Sequence, residues 1–215
     1  MMRGMRVIVF GATGMVGKGV LRECLVAGDV TEVLVVGRTL TGQQHPKLRE
    51  ITHADFTDFT GVDLGGYDAC FFCLGVSSVG MSEEVYRRIT FDYTLAAARA
   101  VSPGSTFAYV SGAGTGTTKR AKWAQVKGAT EDALLAMDLR AYMFRPGFIQ
   151  PMHGAVSKVR LYRVLYTVLR PVTAALVRFA PGIATTTQQI GRAMLRVARE
   201  GGAKHVLESR DIAAL

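Results

Sequence analysis

Three glycines near the start of the chain have the spacing of a phosphate-binding turn. Gly11, Gly14 and Gly17 stand three residues apart in "GATGMVG", directly after the apolar run "MRVIVF". The first permits a tight turn from strand to helix, the second lets backbone approach a diphosphate, and the third lets the helix pack closely on the strand. Helix N-terminal N–H groups and the macrodipole both favour an anion. Although glycines also mark ordinary turns, the motif in this setting predicts dinucleotide binding.

The end of the next predicted strand bears on which dinucleotide is bound. An NAD site usually presents Asp or Glu to the ribose hydroxyls about 20 residues after the glycines, whereas a 2′-phosphate needs a cation. The run "VLVVGRTL" ends in Gly37 and Arg38 with no carboxylate beside them. Because a guanidinium suits phosphate geometry, the pattern favours NADP(H) over NAD(H). The alternative is a solvated arginine at a strand end.

Elements typical of strands and helices alternate along the first 150 residues. Short apolar runs indicate strands buried on both faces. The predicted strands are "MRVIVF", "EVLVVG", "LREITHAD", "DACFFCLG", "TFAYVS" and "AYMFRP", and the predicted helices span 15–27, 83–101 and 121–137. This order predicts an α/β doubly wound parallel sheet, the Rossmann fold, in one domain over residues 1–215. Ligands of such sheets bind beyond the carboxyl ends of the strands.

The C-terminal third carries the whole net charge of +9. No acidic residue lies between Asp138 and Glu200. Residues 154–184 interrupt the alternation and predict a small helical cap, in which "VSKVRLYRVLYTVLR" indicates a basic amphipathic helix. That helix could cover an anionic ligand, contact an anionic membrane surface weakly, or pack by its apolar face with solvated arginines outside. Aromatic residues interleaved with lysines are sparse, which disfavours nucleic-acid binding.

Composition excludes several classes of protein. The chain has 215 residues, 49% hydrophobic and 20% charged, which excludes a disordered chain. We expect no secretory signal and no membrane span. Cys70 and Cys73 in "YDACFFCLG" would point to opposite faces of a strand, and no second pair completes a zinc site, so we interpret them as buried apolar residues. Low cysteine usage predicts a cytoplasmic location.

The ordered motifs resemble those of an atypical short-chain dehydrogenase/reductase, close to the Tat-interacting-protein-like NADPH-binding proteins and the epimerase-like families. They run over nearly the whole chain. The motifs that carry the resemblance are "GATGMVG", "VGR", "CLGVSSVG", "RRITFDYTLAAARA", "WAQVKGATEDAL" and "FRPGFI".

The resemblance implies a cofactor site made from the loops that follow the strands. Its diphosphate-binding residues would be Gly11, Thr13, Gly14, Met15, Val16 and Gly17. Arg38 would meet the 2′-phosphate. The remaining implied contacts, from adenine through its ribose to nicotinamide, are Asp55 and Phe56, then Cys73, Leu74 and Gly75, then Pro146, Gly147, Phe148 and Ile149.

The resemblance also implies a catalytic set of Ser, then Tyr, then Lys four residues after the Tyr. Ser111 and Lys127 stand at matching positions, but Trp123 occupies the position of the Tyr. An indole N–H only donates and does not titrate usefully, so it cannot relay a proton as a phenol does. Besides binding to a membrane surface through the basic helix, two functions remain open. Either the protein binds NADP(H) with altered or lost chemistry, as a cofactor-dependent regulator or sensor, or it is an active oxidoreductase or epimerase using Ser111, Lys127 and another proton donor.

Other groups near the site are weaker candidates for the missing acid. Tyr109 lies in a predicted strand and is expected to belong to the core. Tyr93 lies on an alanine-rich helix that we expect to pack against a neighbouring element or against a second subunit of a homodimer. His153 follows the sixth predicted strand, nearest the presumed substrate region, where a surface loop histidine is the commoner outcome.

Overall fold

Seven of nine strands form one parallel sheet in the computed structural model, which describes residues 4–152 and 182–215. The strands are β1 (Met5–Phe10), β2 (Val30–Gly37), β3 (Leu48–Thr52), β4 (Ala69–Phe72), β5 (Thr106–Val110), β6 (Arg140–Arg145), β7 (Phe148–Gln150), β8 (Ala184–Thr186) and β9 (Val206–Glu208). The main sheet has the order β3-β2-β1-β4-β5-β6-β9, and all neighbouring strands are parallel. This confirms the predicted doubly wound sheet.

A second, two-stranded parallel sheet pairs β7 with β8. The sequence did not indicate it, and it did not indicate β9 either. All three strands are only three residues long. Segments this short carry too few residues for periodicity to show.

Helices cover both faces of the main sheet. They are α1 (Met15–Val26), α2 (Glu83–Arg87), α3 (Tyr93–Ala100), α4 (Lys122–Leu135), α5 (Thr187–Glu200) and α6 (Ser209–Ala214). A π-helical turn over Arg88–Asp92 joins α2 to α3, so the predicted helix over 83–101 is present but interrupted. The helices predicted over 15–27 and 121–137 are confirmed to within two residues at each end.

The sheet separates two apolar layers. Val7 and Val9 of β1 face the layer that contains α1 and α5, whereas Ile8 and Phe10 face the layer that contains α3 and α4. This is the alternation of a strand buried on both faces.

The two cysteines of the "CFFC" run also lie on opposite sides of the sheet. Cys70 belongs to the layer of α3 and α4, and Cys73 packs against the layer of α1 and α5. The predicted opposite orientation is therefore confirmed. Burial raises the pKa of both thiols.

Most of the predicted cap lies outside the described residues, which resume at Gly182. The predicted basic amphipathic helix and His153 fall in the part not described, so the membrane-surface contact stays a prediction. Within residues 4–152 and 182–215, no helix is long and apolar enough to cross a membrane.

Candidate cofactor and active site

The glycine turn between β1 and α1 is closed to side chains by backbone. Gly11 has a φ of +74°, in the region that favours glycine. A Cβ on Gly11 would lie 2.6 Å from the N atom of Leu74, and one on Gly17 would lie 2.1 Å from the carbonyl oxygen of Gly11. The Gly14 N–H donates to that same oxygen at 2.9 Å. The turn thus matches the roles expected of the first and third glycines, a tight turn and close packing of the helix.

The N-terminus of α1 leaves its N–H groups for a ligand. Gly14 is the N-cap residue, with φ −79° and ψ 168°, and no side chain caps the helix. Its first turn holds no acidic residue. Met15 and Val16 begin the helix and are half-buried, as is the preceding Thr13. Uncapped N–H groups, the helix dipole and a turn without side chains fit the diphosphate of a dinucleotide.

Arg38 lies directly beyond the carboxyl end of β2. Its side chain is exposed, and among the described residues it has no hydrogen-bond or ion-pair partner. On neighbouring β3, the Glu50 carboxylate accepts a hydrogen bond of 2.7 Å from the Thr41 N–H. The guanidinium of Arg38 is therefore available to an anion at this edge of the sheet.

The loops after β3 and β4 form the next part of the edge. The exposed Asp55 carboxylate accepts hydrogen bonds from the hydroxyl and the N–H of Thr57, at 2.6 and 2.9 Å, which lower the pKa of Asp55. Phe56 is only 2% exposed, and its ring lies against Phe10 and Tyr93. A ligand could therefore meet Phe56 only through backbone.

The loop after β4 presents its backbone to the turn after β1. Cys73 and Leu74 are half-buried and touch the Gly11 position, as described above. Gly75 is exposed and has open space where a Cβ would project. These three residues lie at the carboxyl end of the strand next to β1, where the resemblance places them.

Ser111 and Lys127 are brought together by β5 and α4. The Lys127 ammonium donates to the carbonyl oxygens of Val110 and Ser111, both at 3.2 Å. Its nitrogen also lies 5.2 Å from the centre of the Tyr109 ring. Burial lowers the pKa of Lys127 to about 8, and the charge of Glu131 opposes that shift. Two of the three N–H groups are thus used, and one remains.

The Ser111 hydroxyl is held by Thr115, a residue that sequence reasoning missed. The Thr115 hydroxyl donates to the Gly112 carbonyl at 2.7 Å. Since a threonine has one hydroxyl proton, the 3.0 Å contact between the two hydroxyls must be donated by Ser111. The Ser111 proton is therefore directed at Thr115. No sequence signal marks Thr115 beyond its place four residues after Ser111.

Trp123 lies one helical turn before Lys127 on α4. It is half-buried, and its indole lies 3.8 Å from the position of a Cβ on Gly114. A Cβ on Gly128 would lie 2.5 Å from the Thr117 N atom, so the loop that carries Ser111 packs tightly on α4. The expected sharing of one helix face by Trp123 and Lys127 follows from their spacing of four.

The segment expected beside the nicotinamide is tied to the Ser111 loop and to α6. The Pro146 carbonyl accepts a hydrogen bond of 3.0 Å from the Ala113 N–H. Gly147 donates its N–H to the Ser209 hydroxyl at 2.8 Å. Phe148 and Ile149 follow in β7 and are half-buried. The structure thus brings this segment to the same side of the sheet as Ser111.

The two tyrosines weighed as substitute acids lie in packed positions. Tyr109 is 1% exposed, and burial raises its pKa above the usual range. The Tyr93 ring lies 5.7 Å from that of Phe56, centre to centre. Both predictions of packing rather than acid–base roles agree with this placement.

Comparison with known sequences gives distant relatives. No protein-family model matches the chain. It is 26% identical over 156 residues to Protein HTATIP2 of Rattus norvegicus, covering 69% of this chain and 64% of the rat protein. It is 28% identical over 149 residues to Protein FMP52-2, mitochondrial, of Scheffersomyces stipitis, covering 66% of this chain and 65% of the yeast protein. The chain therefore spans about two thirds of the length of these two relatives.

A third relative matches over almost its whole length. Protein fmp52-2, mitochondrial, of Aspergillus oryzae is 27% identical over 226 residues, covering 96% of this chain and 95% of the fungal protein. Because the two fungal relatives are named mitochondrial, the cytoplasmic location of this chain stays a prediction.

Solved structures match nearly the full chain. WbmF of Bordetella bronchiseptica, in complex with NAD+ and UDP, has a TM-score of 0.67 at 17% identity, covering 98% of this chain and 76% of WbmF. A short chain dehydrogenase family protein of Francisella tularensis has a TM-score of 0.63 at 15% identity, covering 92% of each chain. The chain therefore shares the Rossmann-like α/β fold of these structures. A UDP-glucose 4-epimerase shares it, with a TM-score of 0.66 at 16% identity over 97% of this chain and 80% of the epimerase.

The resemblance expected from the motifs is thereby confirmed at the level of fold and distant sequence similarity. The structural neighbours are short-chain dehydrogenase/reductase and epimerase-like proteins, and the sequence relatives are HTATIP2 and FMP52 proteins. A short-chain dehydrogenase/reductase fold alone does not fix a reaction, which depends on the residues of the site.

Proposed function

We propose that the protein binds a nicotinamide dinucleotide, preferentially NADP(H), and that Trp123 alters or removes its carbonyl chemistry. A cofactor-dependent regulatory or sensing role then follows. The observation that carries the binding proposal is the uncapped N-terminus of α1 behind a turn closed to side chains at Gly11 and Gly17. Structural neighbours that bind NAD+ support it, since WbmF was solved with that cofactor.

The preference for NADP(H) rests on Arg38. Its guanidinium is exposed at the end of β2 and has no partner among the described residues. A guanidinium can donate two parallel hydrogen bonds to the 2′-phosphate of NADP(H). The ribose of NAD(H) lacks that phosphate. No carboxylate stands beside Arg38 in the sequence to accept ribose hydroxyls.

The other site residues supply positioning rather than a phenol proton. A bound nicotinamide would supply or accept a hydride. Lys127 uses two N–H groups on backbone carbonyls, and we propose that its third binds a hydroxyl on the cofactor ribose or the substrate. Ser111 offers oxygen lone pairs, because its proton is directed at Thr115. Trp123 can donate one N–H but cannot exchange a proton near neutral pH.

Fluorescence titration tests the binding proposal, because Trp123 is the only tryptophan. We expect NADPH to quench Trp123 emission and to sensitise emission from the reduced nicotinamide, with tighter binding than NADH. Arg38→Ala should raise the Kd for NADPH about 10- to 100-fold, the value of a hydrogen bond to a charged group, and leave NADH unchanged. Arg140→Ala is the matched control. This exposed arginine is the first residue of β6, so it lies at the amino end of a strand, away from the carboxyl ends that form the proposed site.

Two results would contradict the proposal. If neither nucleotide changes the emission and calorimetry also detects no binding, the site does not bind dinucleotides. If Arg38→Ala and Arg140→Ala weaken NADPH equally, Arg38 does not read the 2′-phosphate.

A second function, active oxidoreduction, is favoured by the contact of Lys127 with the Ser111 carbonyl. Restoring the phenol tests it. Trp123→Tyr should create or raise NADPH-dependent reduction in a panel of aldehydes and ketones, and Trp123→Phe should not. If Trp123→Tyr binds NADPH normally but stays inactive across the panel, the site lacks more than the phenol.

A further inference from the structure

A buried ion pair lies one helical turn beyond Lys127. Glu131 is only 2% exposed, and the Arg145 Nε lies 3.0 and 3.1 Å from its two carboxylate oxygens. The Arg145 Nη2 also donates to Glu131. On its outer side, Arg145 reaches Glu208 at 3.3 Å. Both oxygens of Glu131 are thus bound by one guanidinium, in the geometry that makes such pairs strong.

Within residues 4–152 and 182–215, Lys127 has no such carboxylate partner. Glu131 is four residues further along α4, close enough for a direct ion pair on one helix face. Instead, the Lys127 nitrogen contacts two backbone carbonyls and the face of the Tyr109 ring. The pKa of Lys127 is accordingly lowered by burial, with only partial compensation from the charge of Glu131.

The charged and titratable groups around Lys127 come from several elements. Glu131 lies on α4 itself and Tyr109 faces Lys127 from β5. Behind these lie Arg145 of β6 and, beyond it, Glu208 of β9. The phenol of Tyr109, its pKa raised by burial, is neutral at physiological pH. Among these groups, Glu131 is the one whose charge acts on Lys127, and it opposes the larger effect of burial on the pKa of Lys127.

We propose that Arg145 is a positioning residue that withholds the Glu131 carboxylate from Lys127, so that the Lys127 amine can give up a proton at the site where the phenol is missing. This inference rests on the second function proposed above, active oxidoreduction, because it supplies the acid that Trp123 cannot. When a carbonyl is reduced by hydride from a reduced nicotinamide dinucleotide, the ammonium gives one N–H proton to the alkoxide oxygen. The neutral amine then regains a proton from solvent.

The test is an NMR titration of the ligand-free protein labelled with ¹³C at lysine Cε, with the Lys127 signal assigned by Lys127→Arg. In the wild type, Lys127 should titrate near pH 8. Arg145→Met frees Glu131 and should raise this midpoint by about one pH unit or more, the usual effect of an opposite charge at contact distance. Glu131→Gln should lower it. In Glu131→Gln protein, Arg145→Met should have no further effect.

Controls separate this role from a merely structural one. Glu208→Gln removes the outer ion pair of Arg145, keeps an oxygen that can cap α6, and should leave the Lys127 midpoint unchanged. Arg145→Lys keeps a cation at Glu131 and serves if Arg145→Met does not fold, with a midpoint close to that of the wild type. The proposal is overturned if the midpoint stays the same in folded Arg145→Met and Glu131→Gln, or if Arg145→Met acts equally with and without Glu131. Because no dinucleotide is present, this outcome is independent of the fluorescence titration.

Discussion

Helices α1 and α5 lie side by side, yet their N-termini are built in opposite ways. In α5, the Thr186 hydroxyl accepts from the Gln189 N–H at 3.0 Å, and the Gln189 side chain accepts from the Thr186 N–H at 2.8 Å. This reciprocal capping box uses the helix's own side chains. In α1, Gly14 brings no side chain to the same task. The N-terminus of α5 is thus capped by its own side chains, whereas that of α1 has no side-chain cap, as the proposed binding of a diphosphate there requires.

Helices α1 and α5 contact each other through small residues, so the two differently capped helices lie in the same layer of the molecule. A Cβ on Gly19 of α1 would lie 2.5 Å from the Cβ of Thr187, and one on Gly191 of α5 would lie 2.9 Å from the Cγ of Glu23. The two helices therefore pack directly against each other. Variants at the ends of α1 and α5 test whether only the N-terminus of α1 contributes to cofactor binding.

Gly17→Ala should have the largest effect. The new Cβ would lie 2.1 Å from the Gly11 carbonyl oxygen. Because that oxygen belongs to the backbone, the turn itself would have to move. We expect NADPH affinity to fall more than about 100-fold and the free energy of unfolding to fall by about 1–3 kcal/mol, as for other overpacked sites. Calorimetry and urea denaturation measure these quantities. Gly28→Ala, where a Cβ meets nothing within 4 Å, is the matched control and should bind NADPH normally.

Gly14→Asp should convert the end of α1 into a closed one. The carboxylate can cap the first turn, which maintains or slightly raises the midpoint of thermal unfolding, while its charge repels the diphosphate. We expect NADPH affinity to fall about 30-fold, close to 2 kcal/mol. Gly14→Ala controls for the added Cβ, which lies 3.2 Å from the Gly11 oxygen. Equal NADPH binding by Gly14→Asp and Gly14→Ala would show that this helix end does not bind the anion.

Thr186→Ala should show the reverse behaviour. Loss of the cap should lower the free energy of unfolding by about 1 kcal/mol, the usual cost of such a change. NADPH affinity should stay at the wild-type value, and Thr186→Ser should restore stability. A drop in affinity as large as that in stability would mean that α5 also contributes to the cofactor site.

The far ends of the same two helices predict the smallest effect. Asp29, after α1, accepts two hydrogen bonds from Arg199 of α5, at 2.7 and 2.6 Å, and these lower the pKa of Asp29. Its contribution to stability is therefore present above the usual value near 3.8 and is lost as pH falls through the lower value in the folded protein. Since both side chains are well exposed, the contribution is below about 1 kcal/mol. Comparing Asp29→Asn with the wild type by urea denaturation at neutral and acidic pH measures it.

The parts of the molecule that could be predicted are those whose signal is local. The glycine turn, the buried strands and the opposite orientation of Cys70 and Cys73 each follow from a few adjacent residues. The π-helical turn over Arg88–Asp92 could not be predicted, because no single residue in it disfavours an ordinary helix. The burial of the Phe56 ring and the bond from Ser111 to Thr115 depend on how distant segments pack and on side-chain rotamers. The pair of Glu131 and Arg145 was missed too, although an acidic residue four positions after Lys127 was a usable signal.

The contact of Gly11 with the loop after β4 has a consequence for redesign of the site. Backbone of Cys73 and Leu74 fills the space of a Cβ on Gly11, so a side chain at position 11 would force the two loops apart. Arg38 follows the neighbouring strand β2, is exposed, and has no hydrogen-bond or ion-pair partner among the described residues. If Arg38 reads the 2′-phosphate as proposed, a library built at Arg38 and its neighbours should change which dinucleotide is bound, while the glycine turn stays unaltered.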